Sequence, residues 1–304
     1  MSLEFKSPAA NDINWIRKIL ANENKMNSKS APATCYLWSK RYSTKICEYK
    51  NMIIKKVIVN GVPTYECPQG AQTAKDFKKA IDAIINDAKE NEYSQLMLFD
   101  FLDSEVQQTE EIFPGKFKFV PNRDNFEYIY KTENLALLPG KKYHGKKNHV
   151  SKFSKMFNWE YKIIIPTEKN RYLDFFEKWF ESYMVDTPKS CDILYEQDAI
   201  KKTLENYETF GFFGGVIEVD DKIVACTIGE EINENVFLVH FEKALPEFRT
   251  AYSVINNEFC KTLLGKYEFI NREEDLGIPG LRQAKLSYHP AFLLPKYNAT
   301  LDSY

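Results

Sequence analysis

Three strand-sized apolar segments, residues 212–219, 222–230 and 236–242, follow one another with only Asp220-Asp221 and a polar link through Asn233 and Asn235 between them. Links that short turn the chain back on itself, so the three segments form an antiparallel meander. A helical pattern over 251–264 comes next, then an apolar run ending at Phe269 and Ile270, a helix from 281 and a last strand over 291–297. Ahead of the meander stand a strand over 159–165 and two helices, over 172–184 with Trp179 and Phe180 inward and over 196–207. The first half spells a similar order. A helix near 13–20 precedes strand candidates over 34–38, 44–49, 52–59 and 62–67. A long helix over 74–91 with Phe77, Ile81, Ile84, Ile85 and Ala88 on one face follows, then a strand over 95–101, a helix over 104–112 and a strand over 126–130. Asn60-Gly61 marks a hairpin, since both central positions of a type I′ turn need positive φ.

Two passes through one order predict a tandem duplication of the α/β (α+β) class, each half a mixed, mostly antiparallel sheet flanked by helices. The division expected is an N-terminal domain over 1–140, a basic linker helix over 141–157 and a C-terminal domain over 158–304. A length of 304 residues suits two domains of about 150. The net charge of -2 gives no global attraction to nucleic acid or membrane, so any polyanion site must be local. The longest apolar runs are strand-sized, which predicts no membrane insertion, and the N-terminus has no secretory pattern, which predicts a cytoplasmic protein. Cys35, Cys47, Cys67, Cys191, Cys226 and Cys260 form no C-x-x-C pair and are expected to be reduced packing residues. His144, His149, His240 and His289 lack ligand spacing, so no metal is expected. Glycine-rich nucleotide fingerprints are absent, which argues against kinase and dehydrogenase chemistry.

The second half concentrates its ionisable groups where a strand hands over to a helix. After Phe269-Ile270 come Asn271, Arg272, Glu273, Glu274 and Asp275 with no apolar residue among them, then the breakers Gly277, Pro279 and Gly280. Arg272 can hold a phosphate or carboxylate bidentately. Arg282 and Lys285, three apart on the following helix, can reach back to the acids. A second concentration lies between the halves, where 140–155 carries Lys141, Lys142, Lys146, Lys147, Lys152 and Lys155 without an acid. On a helix starting near Gly145, Val150 and Phe153 point inward, leaving Lys142, Lys146, Lys147 and Lys152 as a phosphate or tRNA contact surface. A solvated linker face accounts for the same lysines.

The element order is that of the GNAT acyltransferase fold, and the chain resembles the soluble relatives of the phosphatidylglycerol lysyltransferase (lysylphosphatidylglycerol synthase) C-terminal domain. The residues that carry the resemblance are NFEYIY (125–130), GKKYHGKKNHVSKF (140–153), FGFFGGVIEVDDKIVACTIGE (210–230), HFEKA (240–244) and INREEDLGIPGLRQAKLSYHP (270–290). The resemblance implies two tandem GNAT-like domains, the second active and the first degenerate, and transfer of an acyl or aminoacyl group to an amine or hydroxyl. It implies Glu242, Glu274, Asp275 and Tyr288 as catalytic groups. Glu242 would be the base at the end of the fourth strand, with His240 as an alternative, and Tyr288 the proton donor to the leaving group. His240, Asn271, Arg272, Glu273, Arg282 and Lys285 would bind substrate. The donor would be aminoacyl-tRNA or acyl-CoA, the acceptor a small molecule or lipid headgroup, and no further cofactor is expected. The segment LPEFRTAYSVIN has Thr250 where CoA-dependent GNAT enzymes place a glycine against the pyrophosphate, which counts against acetyl-CoA. In the first half, Pro68-Gln69-Gly70 holds the equivalent position, with Asp100 and Asp103 after the next strand. The alternatives are an acyl-CoA-dependent N-acyltransferase and a non-catalytic tandem-GNAT protein that binds a polyanion or metabolite.

Overall fold

The computed structural model describes residues 3–59, 61–186 and 191–301. In the first half, α1 (Ile13–Leu20) and the single turn α2 (Thr34–Leu37) precede β1 (Lys45–Tyr49), β2 (Met52–Val59) and β3 (Val62–Glu66). Then come α3 (Ala74–Glu90), β4 (Leu96–Phe101), α4 (Asp103–Ile112), β5 (Lys118–Pro121), β6 (Glu127–Lys131) and α5 (Thr132–Leu137). Helix α6 (His144–Met156) leads into β7 (Trp159–Ile163), α7 (Lys169–Asp186), α8 (Cys191–Glu205), β8 (Phe213–Val219), β9 (Lys222–Asn233) and β10 (Val236–Ala244). The chain closes with α9 (Ala251–Leu263), β11 (Phe269–Asn271), α10 (Pro279–Leu286), β12 (Phe292–Leu294) and β13 (Tyr297–Leu301).

The strands form two sheets, one ordered β1-β2-β3-β4-β13-β5 and the other β12-β6-β11-β10-β9-β8-β7. Each has a single parallel pair, β3 with β4 and β10 with β11, and each of these follows a three-stranded meander and one crossover helix. The expected fold class is borne out by this repeat. Helix α3 starts on Thr73, whose side chain accepts the Asp76 N–H at 3.1 Å, and buries Phe77, Ile81, Ile84 and Ala88 against the first sheet. The second sheet is covered on both faces. Phe176, Ile200, Cys226 and Phe241 share one core with Ala33 and Leu37 of the N-terminal segment, and Phe153, Val254, Ile217 and Ala244 share another.

Sheet membership does not follow the order of the chain. Strand β6, within 1–140, lies between β11 and β12 of the second sheet, and β13, from the end of the chain, lies between β4 and β5 of the first. The halves thus exchange equivalent strands. Residues 34–38, expected as a strand, form α2 instead: their Tyr, Leu and Trp favour strands locally, but Ala33 and Leu37 pack into the second core and the turn wins. The last strand is two, broken at Pro295-Lys296, and β5 and α5 are additions to the expected order. Gly61 takes a φ of +80, as a hairpin turn needs, while Asn60 lies outside the described residues. Cys35, Cys47, Cys67, Cys226 and Cys260 are free and buried, and the Cys191 side chain lies outside the described residues. Among the described residues no helix is long and apolar enough to cross a membrane.

Candidate active site

Strands β10 and β11 pair only over Val236↔Phe269, Phe237↔Ile270 and Leu238↔Asn271. β10 then continues to Ala244 alongside β9, with a register shift between Val239 and Phe241 that makes His240 the extra residue of a bulge. Beyond Leu238 the two strands part, and the fork between them is filled by charged and aromatic side chains. Glu242 Oε1 accepts from Arg272 Nη2 at 2.6 Å, and Asn256 of α9 donates to Glu242 Oε2 at 3.0 Å. The Arg272 guanidinium lies 4.6 Å from the Tyr288 ring centroid and 5.6 Å from that of Tyr130, which β6 supplies across the strand exchange. Arg272 Nη1 is buried with no hydrogen-bond partner, and so is Asn256 Oδ1. Burial lifts the Tyr288 hydroxyl to about 12 against the pull of Arg272.

Beside this cluster His240 is fully buried between two carboxylates. Its Nε2 lies 2.9 Å from Glu230 and its Nδ1 3.0 Å from Glu273. Burial opposes the charged ring, but the hydrogen bonds and attraction of Glu230 and Glu273 outweigh it and carry His240 up to about 9. Both ring nitrogens are engaged by these carboxylates, which leaves neither turned toward an attacking acceptor as the alternative base would need. The Glu230 carboxylate in turn accepts the Ala33 N–H at 3.2 Å, tying the bulge to the N-terminal segment.

The acids after β11 divide sharply by environment. Asp275 accepts from Arg282 Nη2 at 2.7 Å and Nε at 2.9 Å, from Tyr128 at 2.5 Å, from Arg123 at 3.1 Å and from the Gly277 N–H at 2.9 Å. Its burial is overcome by these donors, and the carboxyl is held well below its ordinary range. Asp275 and Arg282, which also reaches Asp124 at 2.7 Å, fasten α10 to the loop, so Arg282 turns to this clamp and not to Glu242. Glu274 is half-buried. Its desolvation, reinforced by Glu273 and Glu127 and opposed by Lys296 and Lys285, pushes the carboxyl up to about 7. Lys285 donates to the carbonyls of Arg272 and Glu274, and burial brings its amine down to about 8. Asn271 donates to the Met26 carbonyl at 2.7 Å and to Glu127.

Glu127, Glu230, Lys296, Asn256, Tyr130 and Ser28 complete the site and are absent from the sequence-derived set. Glu127 accepts from Ser28 N and Oγ at 2.8 and 2.6 Å and pairs with Lys296 at 2.5 Å, and Lys296 lies 3.3 Å from Asp100. A lone charge inside the otherwise apolar strand FEYIY points to Glu127, and a lone charge between apolar strands in LLPKY points to Lys296.

The basic segment splits. Lys142, Lys147 and Lys152 are exposed, whereas Lys146 is half-buried with its Nζ 3.8 Å from the Tyr288 ring centroid. Lys147, Val150 and Ser151 line a depression of about 370 Å³ with Leu137, Asn257 and Lys261. A second, of about 570 Å³, lies on α10 between Pro279, Arg282 and Leu286. Neither is lined by Glu242 or Arg272. At the start of α9, Ala251 is fully buried and Phe248 packs 5.0 Å from Phe157. In the first half of the chain the Gly70 N–H is taken by Glu23 at 2.7 Å, so its loop is filled by a carboxylate of the chain itself.

A conserved protein of unknown function from Bacteroides thetaiotaomicron VPI-5482 has this fold with a TM-score of 0.90 and 32% identity, over 98% of this chain and 99% of that one. L-PGS from Bacillus licheniformis is similar with a TM-score of 0.71 over 98% and 94% of the two chains, and at 13% identity that likeness is one of fold. An uncharacterised protein of Mycoplasmoides gallisepticum is 21% identical over 172 residues, 56% of this chain and 54% of that relative, so the match spans about half of its length. Residues 21–300 match the family described as phosphatidylglycerol lysyltransferase, C-terminal, and the chain belongs to that family.

Proposed function

We propose that this protein transfers an acyl group, specifically an aminoacyl group, from an activated carbonyl to an amine or hydroxyl, with the donor carbonyl in the fork between β10 and β11 and Glu274 as the proton acceptor. The observation that carries this reading is the contrast among three neighbouring carboxyls. Arg272 and Asn256 occupy both oxygens of Glu242, Asp275 is held ionised by its clamp, and Glu274 sits at about 7, where a group can take a proton near neutral pH and give it up again. The acceptor attacks the carbonyl directly and its proton passes to Glu274. Backbone N–H groups of β10 facing the fork near Phe241 stabilise the oxyanion. Tyr288, protonated at all ordinary pH, supplies the proton that the leaving group takes. Glu273 offers its carboxylate to an ammonium on the transferred group.

An aminoacyl ester is favoured over a CoA thioester because the start of α9 carries Thr250 and is packed by Phe248 where a pyrophosphate would need open backbone. The exposed Lys142, Lys147 and Lys152 supply a polynucleotide contact. Three such contacts predict a log–log salt slope of about -2 for tRNA binding.

The test is Glu274→Gln, assayed with aminoacyl-tRNA and with acyl-CoA. A base contributes about 100-fold to 10,000-fold, so kcat falls by that factor, and the rise of activity through about pH 7 disappears. A loss of less than about threefold removes Glu274 from the role. Turnover with acyl-CoA and none with aminoacyl-tRNA overturns the choice of donor.

A further inference from the structure

We infer that Arg272 and Lys146 form a subsite for an oxyanion, the phosphate or carboxylate of a substrate, where α6 crosses the mouth of the fork. Arg272 gives Nη2 to Glu242 at 2.6 Å, while Nη1 is buried and bonded to nothing. A buried guanidinium N–H without an acceptor has lost its water and gained nothing in return, a deficit that an acceptor at that point would remove. Lys146 Nζ lies 3.8 Å and Arg272 Cζ 4.6 Å from the same Tyr288 centroid, so the two cations are no further apart than the sum of those distances. Both cations face the Tyr288 ring, and a separation within that bound is within reach of one oxyanion whose separate oxygens accept from each.

The surrounding charges leave the pair under-compensated. From β10 comes Glu242, from α9 the neutral Asn256, from β6 Tyr130, from the end of α10 Tyr288 and from α10 itself a further cation, Lys285, whose Nζ donates to the Arg272 carbonyl. On α6 itself His149 lies 3.1 Å from Ser253 Oγ, and burial with the nearby Lys146 and Lys152 keeps its ring below its ordinary value, hence neutral. One carboxylate therefore serves two cations in a partly desolvated place. Burial and the repulsion of Arg272 bring the Lys146 amine down to about 8 despite Glu242. Lys142, Lys147 and Lys152 remain exposed and show no such crowding.

The inference takes from the proposed function only the place of the substrate. Anion binding is read without turnover, and Glu274→Gln, which stops transfer, leaves the subsite intact, so the two can fail separately. Inorganic phosphate and acetate are titrated against the protein, and modification of Lys146 by an amine-reactive reagent is followed by mass spectrometry across pH. The anions slow that modification and move its midpoint upward from about 8, and Lys146→Met weakens phosphate binding roughly tenfold while Lys155→Met, at an exposed position of the same helix, does not. Stronger protection by phosphate identifies a phosphorylated substrate, and equal protection by acetate a carboxylate. Modification of Lys146 indifferent to both anions up to about 50 mM overturns the subsite, whether or not the variant folds. Phosphate binding unchanged in a folded Lys146→Met protein does the same.

Discussion

At the scale of single residues the molecule is governed by buried charges that hold one another. His240 has no exposed side chain, and its proton is kept by Glu230 and Glu273. Its folded value of about 9 exceeds the ordinary 6.5, so its stabilising contribution is complete below pH 6.5 and is lost as pH rises through 9. The shift corresponds to on the order of 3 kcal/mol. Urea denaturation of wild type and His240→Gln is expected to give a stability difference that shrinks between pH 6.5 and 9. A difference constant across that range would show that the ring is neutral in the folded protein. Asn271, Arg272, Glu273, Glu274 and Asp275 were legible as a group because five polar residues directly after an apolar run are conspicuous. Which of the acids is clamped and which is pushed up was not, because that depends on Arg123 and Tyr128, which bond Asp275 from far along the chain, and on the burial and neighbouring charges, Lys296 among them, that act on Glu274.

At the scale of elements the fork depends on how β9 and β10 are spaced around the bulge. Gly229 stands opposite Val239, and a Cβ added there would lie 2.0 Å from the Leu238 carbonyl oxygen and 2.5 Å from the Phe237 ring. Gly229→Ala should therefore destabilise by about 1–3 kcal/mol, read as a lowered denaturation midpoint with unchanged slope. A neutral result would mean that β10 slides without cost. Helix α6 is anchored by the fully buried Phe153, packed 4.9 Å from Phe157 and 6.1 Å from Trp159. Phe153→Ala removes that anchor at a cost of about 3–5 kcal/mol in thermal or urea unfolding. The meander and its following helix were readable from periodicity, since strand and helix patterns there agree with tertiary burial. Residues 34–38 were not, because their place in the second core is decided by residues such as Phe210 and Phe241 far along the chain.

At the scale of the whole molecule the two sheets are joined by exchange of β6 and β13 and by the ion pair that rides with it. Lys296, just before β13, reaches Glu127 at the start of β6 and Asp100 of β4, and both Lys296 and Glu127 are buried. Removing one partner strands the other, so Lys296→Met should cost about 3–5 kcal/mol. The double variant with Glu127→Gln should lose less than the sum of the two singles, since neither then leaves an unpaired buried charge. Strict additivity in a double-mutant cycle would rule out direct coupling. Because each sheet contains a strand from the other half, the two units are expected to unfold in one transition, and well-separated calorimetric peaks would contradict that.

Element order, apolar periodicity and the local massing of charge are short-range properties of the chain, and from them the amino-acid sequence determined the duplicated α/β plan and the neighbourhood of the site. The tertiary structure alone decided which strand completes which sheet. β6 is buried along nearly its whole length, and nothing in such a pattern names its neighbours. It also decided the chemistry of each charged group, because Glu274, Glu127, Lys296 and His240 acquire their protonation and partners only when distant segments fold together and exclude water.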